Sequence, residues 1–196
     1  MATRDPAHLP PARPPAGETT DVPVRRRSAE RLARDGWAAG RSVWEGDAGG
    51  REVRVDSVVV GEEGAPGGVG AVLGVGDGEA VLVRRRRYTL DGKPVLIATS
   101  YFPAALVAGT AIARVDTGPG GVYARLAELG RGPVRFREEV RSRMPSQEEA
   151  DALGLPAGVP VVLVARTAYD ADGAAVEVNA MVLDSAAYVL EYGFDA

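Results

Sequence analysis

From residue 51 onward, apolar and polar positions alternate at the two-residue period of β-strands. The stretch REVRVDSVVV alternates through Val53 and Val55 and runs continuously apolar from Val58 to Val60. AVLVRRRRYTL predicts a second strand, and Asp91-Gly92 predicts a tight hairpin before PVLIATSY. PVRFREEVR, VPVVLVARTAY and AAVEVNAMVL predict three more, the last two joined by a second Asp-Gly at 172–173. Val134, Phe136 and Val140 read as one buried face, and Val176, Val178 and Ala180 as another. Helical spacing intervenes twice. PGGVYARLAELG sets Val122, Leu126 and Leu129 on one side and stops at Gly130. PSQEEADALGL carries Ser146 and Glu149 at the spacing of a capping box, with Gly154 as its stop.

An internal repeat organises these elements. VGAVLGVGDGEAVLVRRRRYTLDGKPV and EADALGLPAGVPVVLVARTAYDADGAAV match at an offset of 80: Leu73 with Leu153, Gly74 with Gly154, Gly78 with Gly158, Val81 with Val161, and Arg86 with Arg166. The Asp-Gly turns follow at an offset of 81. Each copy reads helix, turn, strand, hairpin, strand. Two copies fall short of the roughly three that a solenoid needs. The expectation is therefore an α+β fold with a mostly antiparallel sheet, in which residues 79–101 and 160–183 are related by a pseudo-twofold and the Asp91 and Asp172 turns correspond.

The first 50 residues have a different texture. Residues 1–24 are Pro-rich, with little large apolar content after Leu9, and are expected to form a disordered tail. Residues 25–50 read as a linker with a short helix, capped by Ser28, carrying Leu32 and Ala33 and ending near Gly36. Residues 51–196 read as the folded domain.

Composition narrows the function classes. The 196 residues are 45% apolar and 26% charged, enough for one core without staples. A net charge of −4 supplies no global basic field for gripping DNA. The absence of Cys excludes disulfides and thiolate chemistry, and a lone histidine, His8, argues against His-based metal sites and a Ser-His-Asp triad. No apolar run approaches the roughly 18 residues of a membrane span, and the N-terminus lacks the apolar core of a secretory signal. The expectation is a cytoplasmic chain without metal or cofactor.

RRRRYTLDGKPVLIATSYFP, GPGGVYARLAELG, VRFREEVRSRMPSQEEADALGL and PVVLVARTAYDADGAAVEVN, in that order, resemble the UTRA domain of HutC-type GntR transcriptional regulators. The resemblance runs from about Val53 to the C-terminus. It implies a chorismate-lyase-like fold, frequent dimers and a pocket for a small-molecule effector. Full-length members place a DNA-reading winged helix before this domain, in about 65–70 residues. Here the 24 Pro-rich residues 1–24 precede Arg25, and no helix-turn-helix is expected from them. The expected reading is a sensor half without its reader half, with no sequence-specific DNA binding of its own. It would act as a homodimer, or as a heterodimer with a full-length regulator.

The resemblance also implies site residues. Arg86 matches the first of two alternating arginines in the family's first hairpin, and Tyr88 replaces the second. Alternation puts both on one face with Leu82 and Arg84. A solvated edge strand is the competing reading of Arg84 to Arg87. Ser100 is retained beside Tyr101, while Ala98 stands where members often carry Glu. In DTGPGGVY, Gly121 takes a common Ser position and Tyr123 follows, at a helix start whose backbone N–H groups suit an anion or carbonyl. Arg135 faces either the pocket or water. Glu177 matches a pocket carboxylate, with Asn179 and Met181 on its strand face, and Arg86, Arg135 or Arg166 as its candidate partner. Tyr88, Ala98 and Leu183 make the implied pocket less polar than one for a phosphorylated sugar. They favour a partly apolar ligand with one acidic or carbonyl group.

Two other classes stay open. A dimerising module would modulate a full-length regulator without a ligand. A chorismate-lyase-like enzyme would use Arg86 and Glu177 on an acid, yet the sequence offers no activated nucleophile, metal cluster or evident base.

Overall fold

The structure, a computed structural model, describes residues 24–27, 31–41, 43–44, 51–76 and 78–192. The tail expected over residues 1–24, Val24 aside, and the Ser28 cap lie outside the described residues. The strands are β1 (Val24–Arg27), β2 (Val53–Gly64), β3 (Ala80–Leu90), β4 (Lys93–Pro103), β5 (Arg135–Arg143), β6 (Val161–Tyr169), β7 (Ala175–Asp184) and β8 (Tyr188–Glu191). The helices are α1 (Arg34–Ala38), α2 (Val69–Leu73), α3 (Ala104–Val107), α4 (Gly121–Glu128) and α5 (Gln147–Leu153). Among these residues no helix is long and apolar enough to cross a membrane.

Asp91 and Gly92 turn the first hairpin at positive φ, 49° and 81°, the conformation of a two-residue turn that matches strand twist. In the second hairpin the Asp170 carboxylate accepts from the backbone N–H groups of Asp172 and Ala174, and Gly173 supplies the positive φ. The longer second turn accounts for the change of offset from 80 to 81. Six strands form one antiparallel sheet in the order β2-β3-β4-β7-β6-β5, so each hairpin is flanked by an outer strand of its own half. β1 pairs with β8 in a separate parallel ribbon.

The two halves share register as well as order. Val58 faces Arg86 in the first half as Glu138 faces Arg166 in the second. Each hairpin carries a bulge at the equivalent place, skipping Val95 in β4 and Val176 in β7. Thr99 and Ala180, 81 residues apart in sequence, are paired across β4 and β7. The local twofold passes between them. α2 and α5 end at Gly74 and Gly154, both left-handed, and each packs on the inner strand of the opposite half.

α2 lies over one face of the sheet, where Leu73 packs with Val81, Val83 and Val178. The other face carries the larger clusters, including Leu82, Phe102, Ile112, Tyr123 and Leu126, and separately Tyr88, Leu96, Met181 and Leu183. The bulge turns Val176 into the cluster of Phe102 and Tyr123, on the face opposite Val178. Ala180, expected in the core, is exposed. On β5 the expected face of Val134, Phe136 and Val140 is only partly covered. Val134 and Val140 are exposed, Phe136 is half-buried, and Glu138 occupies the inward position between them. The edge-strand reading of Arg84 to Arg87 is also corrected, because β2 pairs along β3 and makes it internal. From the stretch 25–50, read as linker, the described residues Leu32, Trp37 and Trp44 are buried in the core.

Candidate functional site

Strand alternation assembles the floor of a cavity of about 460 Å³ on the sheet face away from α2. One row of register partners crosses five strands: Arg84, Ser100, Asn179, Arg166 and Glu138. Arg86 and Tyr88 lie farther along β3 on the same face, and Glu177 lies two residues from Asn179 on β7. The loop 115–120 and the start of α4 form the roof, with Val55 and Val58 of β2 at one side.

Of the residues expected at the site, Arg86, Tyr88, Gly121, Tyr123, Glu177 and Asn179 all line this cavity. Ser100 lies beneath it, fully buried, where its hydroxyl accepts a hydrogen bond from Arg86 Nη2. Arg135 is not brought to the cavity. It sits exposed on β5 with its guanidinium stacked 3.9 Å from the Tyr169 ring. The inward side chains of β5 are the even-numbered ones, and the guanidinium supplied by this half of the sheet is Arg166.

The three arginines of the floor are differently engaged. Arg84 donates to the carbonyls of Ile112 at 2.6 Å, Arg114, and Val115 at 3.0 Å, and so clasps the roof loop to the sheet. Burial, reinforced by the positive charge of Arg86, pushes its pKa down to about 10, still protonated at neutral pH. Arg166 is the most deeply held. Its Nε donates to Glu138 at 2.8 Å and its Nη1 to the Tyr123 hydroxyl at 3.4 Å. Glu138 also receives Arg31, so the segment before the sheet is tied to the floor through one carboxylate. Burial foremost, then the negative charge of Glu177, raises the Tyr123 pKa and keeps that phenol neutral. Arg86 makes its side-chain bond to Ser100 and lies 5.9 Å from the Tyr88 ring centroid.

Several buried polar atoms on this floor have no hydrogen-bond partner: Arg86 Nε, Arg166 Nη2, Glu177 Oε2 and Asn179 Oδ1. Native interiors leave few such groups unmet, because each costs about 1–3 kcal/mol. Grouped around one cavity, they describe a site with unused donors and acceptors. The N-terminus of α4 adds to it. No side chain caps this helix, and Gly121, Val122 and Tyr123 of its first turn line the cavity.

Sequence reasoning missed the aromatic wall. Trp44 packs on Tyr88 with ring centroids 4.8 Å apart, and Trp37 meets Tyr123 edge-on at 6.2 Å. Gly40 O accepts from Gly120 N at 3.0 Å, and a Cβ on Gly120 would stand 2.5 Å from Trp37 O. Gly120 is therefore held to glycine both by that approach and by its φ of 76°. Two tryptophans spaced seven residues apart beside a Gly-rich loop were the available signal. Among the described residues no cluster of His, Asp or Glu is arranged to hold a metal ion.

The model of the UTRA domain family matches residues 48–188. The chain belongs to the UTRA domain family. An uncharacterised HTH-type transcriptional regulator of Streptomyces coelicolor is 33% identical over 133 residues, covering 66% of this chain and 49% of that protein. The HTH-type transcriptional repressor PhnF of Mycolicibacterium smegmatis is 32% identical over 106 residues, covering 54% and 43%. This UTRA chain thus spans about half the length of the curated relatives it matches. The crystal structure of PhnF from Mycobacterium smegmatis superposes with a TM-score of 0.73 at 25% identity, covering 89% of this chain and 72% of that one. The structure of the PhnF effector domain alone gives 0.65 at 25% identity, covering 74% and 88%. The antiparallel α+β architecture is that of GntR-family UTRA effector domains, and the relatives are transcriptional regulators.

Proposed function

We propose that this chain is the effector-sensing domain of a GntR/HutC-type transcriptional regulator, and that a small acidic molecule binds in the cavity over the sheet. The observation that carries the reading is the set of unpaired polar atoms on a buried floor, beside the uncapped start of α4. The Arg86 guanidinium and the Val122 and Tyr123 amides offer donors to a carboxylate. Trp44, Tyr88, Val55 and Val58 offer an apolar wall to the rest of the ligand. The role read here is binding: Arg84 and Arg166 are engaged by loop carbonyls and by Glu138, the Tyr123 phenol is held neutral, and Arg86 and Glu177 keep open atoms for a ligand.

A thermal-shift screen of metabolites tests this. A ligand present at 100 times its dissociation constant adds about 2.7 kcal/mol to the folded state. The expected result is a raised melting temperature with one or more carboxylates. A screen that yields only neutral or cationic hits contradicts the reading.

A second role, association with another UTRA chain, is favoured by the apolar side chains on the outer edge strand. Val140 on β5, with Val134 and Met144 flanking it, is exposed. Sedimentation equilibrium should show a dimer that Val140→Lys weakens.

A further inference from the structure

The cavity holds unused hydrogen-bonding capacity of both signs, at separated ends. At one end stands Arg86, a cation with an unpaired Nε. At the other stands Glu177, 2% exposed, whose Oε2 has no hydrogen-bond partner, with Asn179 Oδ1 similarly unmet beside it. Glu177 is hydrogen-bonded to the Tyr123 side chain and lies in the field of Arg84, yet neither neighbouring arginine donates to it. Arg166 donates to Glu138 and Tyr123, and Arg84 to three loop carbonyls. A buried carboxylate left with an open oxygen beside a second open acceptor asks for a group rich in N–H. An ammonium brings three donors and the opposite charge; a hydroxyl brings one donor and none.

Register sets the spacing. Arg86 is paired through Ala98 to Met181, and Glu177 lies four residues before Met181 on β7. Two strand spacings across and four residues along place the two side-chain roots about 10 Å apart in one direction and about 13 Å in the other. Both side chains line the cavity, and the Arg86 guanidinium leans over β4 to Ser100, whose register partner Asn179 is two residues from Glu177. A chain with its charges at either end matches that separation better than a compact α-amino acid, its methylenes running from β3 across β4 toward β7.

We infer that the ligand class is a zwitterion whose acid and amine stand several bonds apart, the acid taken by Arg86 and the amine by Glu177 with Asn179. This rests on the effector-binding reading above and specifies its ligand.

The test is calorimetric titration of the full chain with γ-aminobutyrate, δ-aminovalerate and ε-aminocaproate. Each is run beside its nitrogen-free counterpart, butyrate, valerate or caproate, and leucine is included as the compact amino acid. At least one ω-amino acid should bind about ten- to a hundredfold more tightly than its counterpart, the scale of one charge-assisted hydrogen bond. Glu177→Gln, which keeps the side chain's size, should remove that ratio and leave the counterpart's affinity in place. The wild-type ratio stands as a test by itself if the variant does not fold. Equal affinities within each pair, tighter binding of leucine than of all three, or a ratio that survives Glu177→Gln overturns the inference while leaving acid sensing intact. Silence of both series also overturns it, and the metabolite screen then decides the effector-binding reading separately.

Discussion

The two halves of the sheet share helix position, bulge and register, yet they treat their equivalent arginines differently. Arg166 faces Glu138, is almost wholly buried and ties Tyr123 and the 31–44 segment to the floor. Arg86, its counterpart at an offset of 80, faces Val58, keeps an unpaired Nε and lines the cavity. The inner strands diverge in the same way. Leu96, Ala98 and Ser100 of β4 correspond to Glu177, Asn179 and Met181 of β7. A duplicated fold can thus carry a single asymmetric site, because register fixes where side chains meet and their identities fix which pairs are complete. Arg166 is held mainly by the fold, through Glu138 and Tyr123; Arg86 has one side-chain bond, to Ser100, and no carboxylate opposite it.

The sharpest way to break that contrast is at its buried pair. Glu138→Ala leaves Arg166 and Arg31 without this carboxylate and should cost about 3–5 kcal/mol in urea denaturation. The equivalent Val58→Ala should cost about 1 kcal/mol or less, since Val58 is half-buried on the outer strand. Equal losses would contradict the division of labour. Next in size, Leu73→Ala and Leu153→Ala remove equivalent buried side chains beneath α2 and α5, and each should cost about 2–5 kcal/mol. A loss at one position only would show that the halves are not equivalent in packing.

The helices themselves differ at their starts. Ser146 and Glu149 form a full capping box on α5, while α2 begins at Gly68 with no side-chain cap. Ser146→Ala should cost about 1 kcal/mol. The Arg143 side chain foremost, with the Ser146 backbone N–H, holds the Glu149 carboxyl below its ordinary range. Its contribution is therefore present above the unfolded pKa and is lost as pH falls through the lower folded value. Acid titration of stability should show that loss in wild type, and Glu149→Gln should remove it. Smallest of all, Arg86→Ala should lower stability by about 1 kcal/mol or less, the cost of leaving Ser100 without its donor.

Both hairpins and the pseudo-twofold were legible because their signals are local or repeated: Asp-Gly turns, two-residue alternation, and a glycine stop after each helix. Six of the eight expected site residues line the cavity: alternation on β3 and β7 places Arg86 with Tyr88 and Glu177 with Asn179, and the Gly-rich start of α4 places Gly121 and Tyr123. Arg135 was not legible. Which side of β5 faces inward depends on pairing with β6, and that pairing buries Glu138 while leaving Val134 and Val140 exposed. Bulges hid a second feature. Skipping Val176 changes the face it shares with Val178, a shift that plain alternation cannot foresee. Trp37 and Trp44 lie in a segment with no periodicity, and the tertiary approach of Gly40 to Gly120 accompanies the packing of Trp37 on Tyr123 and the placing of Trp44 at the cavity.

The central claim is that Arg86 serves the ligand while Arg166 serves the fold. Calorimetric titration of an acidic hit from the screen, against wild type and Arg86→Ala, tests it most directly. The account predicts that binding weakens by about 1.5–3 kcal/mol with the melting temperature almost unchanged. Undiminished affinity in Arg86→Ala, with its fold intact, would contradict it.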